Sequence, residues 1–162
     1  MFSREQTKLI QKLARQCLEK GILLVTAESC TGGLLSSLLT QEAGSSKWFD
    51  RGFVTYSNNS KIDSLGVQWE TLENFGAVSQ EVANEMSIGA LKNSEANLGI
   101  SITGIAGPDG GSLAKPVGTV YFSIANQKKV ILEHKSDFKG SREVIRKESV
   151  LFVLNKLLNL TL

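Results

Sequence analysis

The sequence predicts a single α/β layer domain over residues 1–162, with a mixed sheet flanked by helices. Three observations carry this expectation. Segments with helical apolar spacing alternate with short, strongly apolar runs of strand length. Two such runs near the C-terminus lie close enough to form a hairpin. No linker, internal repeat or low-complexity tract divides the chain.

The first 20 residues place Leu9, Ile10, Leu13, Cys17 and Leu18 at helical spacing, with Gly21 as a natural stop. Ile22–Thr26 follows as a wholly apolar strand of the kind buried on both faces. A Gly-containing turn, Ala27–Gly33, then leads into a helix from Leu34. Trp48–Tyr56 reads as a second strand, and Ser57-Asn58-Asn59-Ser60 as the cap of a short helix from Lys61. Ser79 sits at a plausible N-cap before Val82, Ala83, Met86, Ala90 and Leu91, which form one apolar helical face. Asn97–Thr103 is a third strand, opening into the glycine-dense segment Gly104–Gly111. Val117–Ala125 and Val130–Phe138 form the hairpin, and a last helix starts near Ser141.

Composition removes several classes of function. The chain of 162 residues has 18 Lys+Arg against 16 Asp+Glu, a formal charge of +2, so no broad basic field favours nucleic acid. One histidine and two cysteines (Cys17 and Cys30) do not make a four-ligand zinc site, and two thiols do not make a disulfide framework. A Ser-His-Asp triad would have to run through His134 alone, with no Asp at an informative spacing. No signal peptide or apolar run of membrane-spanning length appears, so a cytoplasmic protein without a membrane partner is expected.

Three polar segments follow predicted strands, and in open α/β sheets ligands bind beyond the carboxyl ends of strands. In Glu28-Ser29-Cys30-Thr31-Gly32-Gly33, Ser29 is either an exposed nucleophile beside main-chain N–H groups or, like Thr31, a helix cap. Cys30 is either a reactive thiol or a small buried residue. In Tyr56–Lys61, the lysine is a base only if burial or a neighbouring positive charge lowers its pKa, and otherwise a surface cation; Tyr56 either relays a proton or holds the lysine, or is a half-buried strand residue. The glycines of 104–111 serve a ligand or a tight turn equally well. Arg142 and Arg146, four apart on one helix face, either grip a phosphate or are simply solvated.

TAESCTGG (26–33), GSSKWFDRGFVTYSNNSK (44–61), GAVS (76–79) and SITGIAGPDGG…KPVGTVYF (101–122) occur in this order. Together they resemble the nicotinamide-nucleotide amidase family, which shares its domain with the C-terminal part of CinA. The resemblance spans nearly the whole chain and implies the stand-alone form with that fold. It implies hydrolysis of the carboxamide of nicotinamide mononucleotide, a pyridine-nucleotide salvage step, without metal or other cofactor. By motif position it makes Ser29 the nucleophile and Tyr56 and Lys61 the proton-transfer pair. Ser46 would assist, while Thr31, Gly32, Gly33, Thr103 and Gly104 would line the substrate pocket. Arg142 would face the substrate phosphate, and the chain would self-associate as a homo-oligomer. The rival reading is a non-catalytic pyridine-nucleotide-binding module; a phosphotransferase lacks a GxxxxGK[ST] loop or a metal-carboxylate cluster.

Overall fold

In a computed structural model, which describes residues 4–160, a five-stranded mixed sheet runs through the middle of the chain. The elements follow in the order α1 (Arg4–Lys20), β1 (Leu24–Glu28), α2 (Leu34–Leu39), β2 (Phe49–Val54), α3 (Asn58–Leu65) and α4 (Trp69–Phe75). They continue with α5 (Gln80–Lys92), β3 (Leu98–Gly104), β4 (Thr119–Asn126), β5 (Val130–Asp137) and α6 (Arg142–Asn159). The predicted helix at the N-terminus is present from Arg4, its first three residues lying outside the described ones.

The strand order is β2-β1-β3-β4-β5. β1 pairs in parallel with β2 and β3, while β4 and β5 form the antiparallel hairpin. The chain leaves β1 toward β2 and then crosses back to β3 on the other side. The carboxyl end of β1 is therefore a topological switch point, where loops on the two sides diverge and leave a crevice.

Every residue of β1 is buried, as expected for a strand covered on both faces. Period-two alternation splits it: Val25 and Ala27 join Leu65, Val67, Leu72, Val82, Met86 and Ala90 beneath α3, α4 and α5. Leu24 packs with Ile100, Ile102, Val120 and Phe122 against the apolar faces of α1, α2 and α6. A sheet between two helical layers results.

Local differences from the sequence expectation have physical causes. The strand expected over 22–26 lies at 24–28, because its pairing with Leu98–Ile102 carries the ladder through the polar Thr26 and Glu28. The helix expected from Lys61 begins at Asn58, where Ser57 and Ser60 exchange side-chain and main-chain hydrogen bonds in a capping box. That earlier start puts Lys61 at the fourth position of the helix rather than at its first. α4 was not expected; it is seven residues long and buries only Leu72, leaving Trp69 and Phe75 exposed. No helix of the described residues is long and apolar enough to cross a membrane.

Candidate active site

Glu28 ends β1, and its side chain organises the turn that follows. One carboxylate oxygen accepts the amides of Gly33 and Leu35 at 3.1 and 3.0 Å; the other accepts the Ser36 amide and hydroxyl at 2.8 and 2.7 Å. Neither Ser29 nor Thr31 caps α2; the N-cap is Gly33, without a side-chain cap bond of its own. Glu28 supplies the capping charge from one turn back, where negative charge favours exposed helix amides. Ser36 in turn shares a 2.7 Å hydroxyl contact with Thr26. These two hydroxyls fill the space over Gly52 of β2, where a Cβ would stand 2.2 Å from Ser36 Oγ.

With the helix end occupied, the chain at Ser29 is free to turn outward. The Ser29 amide donates to the Ile102 carbonyl at 2.9 Å, fixing the residue at the carboxyl end of β3 as well as β1. Its side chain is half-exposed, and Lys61 Nζ lies 3.1 Å from its Oγ. Lys61 also donates to the Thr55 carbonyl at 2.8 Å, and only 1% of the residue is exposed. Burial without a carboxylate partner disfavours the ammonium form, pulling its pKa from 10.5 down to about 8. A neutral amine can accept the Ser29 hydroxyl proton; a nucleophile paired with a lysine of depressed pKa is an acyl-transfer arrangement.

Tyr56 follows Thr55 at the end of β2, and its hydroxyl accepts a hydrogen bond from Arg142 Nη2. Arg142 Nη1 donates to the Gly107 carbonyl at 2.8 Å, drawing the glycine-dense loop into the same crevice. Arg146, one turn further along α6, donates to the Thr31 carbonyl at 2.9 Å. The hydroxyls of Thr31 and Thr55, both buried within this cluster, have no hydrogen-bond partner among the described residues. Within the turn itself, the Gly32 amide is taken by the Ser29 carbonyl at 3.0 Å and the Gly33 amide by Glu28. The Cys30 amide faces its own thiol, and among the described residues the Thr31 amide has no acceptor.

The structure thus gathers Ser29, Thr31, Gly32 and Gly33 from the turn after β1, Tyr56 after β2, Lys61 from α3 and Arg142 from α6 at the switch point. Other expected site residues stand elsewhere. Ser46 precedes β2, at the amino end of a strand whose carboxyl end lies beside Ser29. The five residues of β1, at about 3.3 Å each, put roughly 15 Å of sheet between them. Thr103 is fully buried and donates to the Ala77 carbonyl at 2.8 Å, tying down the segment before α5. Gly104 is packed against β4, where a Cβ would stand 2.8 Å from the Thr119 carbonyl.

Cys30 takes its bland alternative. It is 5% exposed, and burial pushes its pKa up to about 12, so the thiolate is suppressed next to the nucleophile. Cys17 is likewise buried and free. His134 stacks on Phe152 with ring centroids 4.5 Å apart, on β5 and three strands away from β1. Burial and the Lys156 ammonium hold its pKa below the ordinary value. Sequence reasoning assigned no role to Glu28 or Thr55. An acidic residue closing an apolar strand was a usable signal for the first; a main-chain carbonyl leaves none for the second.

A doubly covered sheet with a serine and a buried lysine at its switch point defines an α/β enzyme-like class, and comparison with known proteins narrows it. A solved structure of competence/damage inducible protein CihA from Agrobacterium tumefaciens superposes with a TM-score of 0.94 at 44% identity, over 99% of each chain. The family model described as the CinA C-terminal domain matches residues 6–161, and the chain belongs to that family. It is 52% identical over 135 residues to the nicotinamide-nucleotide amidohydrolase PncC of Enterobacter agglomerans, covering 83% of this chain and 82% of that protein. It is 45% identical over 157 residues to the protein of the same name from Escherichia coli strain K12, covering 97% and 95%.

Proposed function

We propose that this chain is an amidohydrolase that releases ammonia from the carboxamide of nicotinamide mononucleotide, with Ser29 as nucleophile and Lys61 as its base. The observation that carries the reading is the 3.1 Å contact between Ser29 Oγ and the buried amine of Lys61. The names of the relatives at 52% and 45% identity support the substrate class.

The neutral Lys61 amine takes the Ser29 proton as Oγ attacks the carboxamide carbon. Charge gathers on the carboxamide oxygen, and main-chain N–H of the turn after Ser29 stabilises it. The lysine ammonium then returns the proton to the leaving nitrogen, and the C–N bond breaks to give ammonia and an acyl ester on Ser29. Water, deprotonated by the same amine, hydrolyses the ester and frees the nicotinic acid nucleotide. Lys61 reaches Ser29 directly, and the Tyr56 hydroxyl is engaged by Arg142, so Tyr56 acts at the cleft mouth rather than as a relay. Arg142 is the exposed cation through which the ribose phosphate is anchored, a remote handle whose binding energy orients the ring.

Ammonia release from nicotinamide mononucleotide, its riboside and free nicotinamide tests this reading. Wild type is expected to prefer the mononucleotide, and Ser29→Ala to lose at least about 10³-fold in kcat while still binding it by calorimetry. Turnover by Ser29→Ala near the wild-type rate would remove the nucleophile, and binding without ammonia by wild type would leave a binding module.

A further inference from the structure

The two arginines that open α6 are spaced alike but placed differently. Arg142 is exposed and spans the Gly107 carbonyl and the Tyr56 hydroxyl at the rim of the crevice. Arg146 is half-buried and turned beneath the rim. Its Nη2 donates to the Thr31 carbonyl at 2.9 Å, and its Nε is enclosed with no hydrogen-bond partner. Among the described residues it forms no ion pair with a carboxylate.

The peptide that Arg146 grips lies in the nucleophile turn. The Thr31 carbonyl and the Gly32 amide belong to one planar unit. Arg146 at 2.9 Å and the Leu34 amide at 3.2 Å both donate to the carbonyl, while the Ser29 carbonyl accepts the amide at 3.0 Å. Glu28 holds the next amides along, those of Gly33, Leu35 and Ser36. The turn is therefore clamped from the α6 side and from the sheet side. Of its remaining amides, Cys30 faces its own thiol and Thr31 has no acceptor among the described residues. Gly32 keeps the clamp in reach: its φ is +59°, and a Cβ there would already stand 3.7 Å from Arg146 Nη2, so longer side chains would press on the guanidinium. A cation without a carboxylate partner also keeps its field, which favours negative charge developing nearby.

We propose that Arg146 is a positioning residue for acyl transfer, holding the Thr31–Gly32 peptide so that the Thr31 amide meets the oxyanion, and not a second phosphate ligand beside Arg142. The inference rests on the amidohydrolase reading of Ser29. Equal spacing on one helix face suggests a shared grip on a phosphate, but Arg142 is exposed at the rim, whereas Arg146 is half-buried with its Nη2 on the Thr31 carbonyl of the nucleophile turn.

The test uses the full chain with Arg146→Met, which keeps an apolar stem, Arg146→Lys, which keeps the charge and a donor, and Arg142→Met. Two readouts are taken: kcat and KM for ammonia release from nicotinamide mononucleotide, and the rate at which a fluorophosphonate labels Ser29, followed by mass spectrometry. Arg146→Met is expected to lower kcat roughly 30–300-fold with KM within about threefold, and to slow labelling in parallel, as for loss of oxyanion support. Arg146→Lys should recover to within about tenfold of wild type, whereas Arg142→Met should act mainly by raising KM. A raised KM at unchanged kcat in either Arg146 variant would overturn the proposal, as would wild-type labelling and turnover in Arg146→Met. If Arg146→Met melts below the assay temperature, Arg146→Lys decides by the same split between kcat and KM. Wild type that labels at Ser29 but releases no ammonia would refute the substrate reading, while the labelling rates would still decide the role of Arg146.

Discussion

Removing the lysine amine should do opposite things to catalysis and to stability, and the size of the second effect follows from its burial. The Lys61 pKa falls from 10.5 to about 8 in the folded chain, which corresponds to about 3 kcal/mol against the ammonium form. With 1% of the residue exposed, little solvent screening reduces that penalty. Below pH 8 both folded and unfolded chains carry the proton, so the penalty is fully present. Between pH 8 and 10.5 the folded chain holds fewer protons at this site than the unfolded chain, and wild-type stability rises across that window. Lys61→Met lacks the rise. Its hydrogen bonds to Thr55 and Ser29 are also lost, at about 1 kcal/mol each, but that loss changes little with pH. Urea denaturation of both proteins at pH 7 and pH 10.5 isolates the effect, because every other titrating group cancels in the difference. The stability of the variant relative to wild type should be about 3 kcal/mol more favourable at pH 7 than at pH 10.5. An equal difference at the two pH values would show that the amine is not desolvated by folding, and the general-base argument would fall with it. In wild type, the same pKa makes about 9% of the lysine neutral at pH 7, roughly 300 times the fraction of an unperturbed one. Accordingly kcat/KM should climb about tenfold per pH unit to a plateau near pH 8.

Cys30→Ala should retain turnover within about threefold, since the thiol is buried and held protonated; loss of activity in the folded variant would restore the thiol as a candidate nucleophile. Glu28→Gln should destabilise the fold by roughly 3 kcal/mol or more, because an amide nitrogen would face donors where an oxygen now accepts them. At this chain length, that corresponds to a fall in Tm of about 6–12 °C. A melting curve superimposable on wild type would mean that the buried carboxylate is not what holds the nucleophile turn.

Much of the architecture was written in local pattern. The apolar run before Thr26, the spacing of α5 and α6 behind Ser79 and Ser141, and the hairpin around Asn126 all follow from short-range chemistry that survives into the fold. The motif segments around Ser29, Tyr56 and Lys61 were visible for the same reason. The choice between their alternatives was not. A serine before two glycines is a cap or a nucleophile according to what satisfies the helix amides, and Glu28 settles that only once it folds back over Gly33 and Ser36. The family resemblance makes Thr103 a pocket residue, and its hydroxyl is directed to the Ala77 carbonyl, a partner 26 residues away that no local pattern shows.

The single histidine and two cysteines restricted the chemistry from the outset, because side-chain inventory does not depend on where the chain goes. The sequence by itself determined the element types, the three glycine- and serine-bearing loops and the set of ionisable groups available to them. Tertiary structure alone decided that β1 lies between β2 and β3, and that Lys61 is enclosed next to Ser29. It also decided that the two arginines of α6 face different partners. The physical reason is that desolvation and hydrogen-bond partnership depend on which distant segments meet. Lys61 lies 32 residues from the serine and Arg146 lies 115 from the threonine carbonyl it holds, separations that no local pattern encodes.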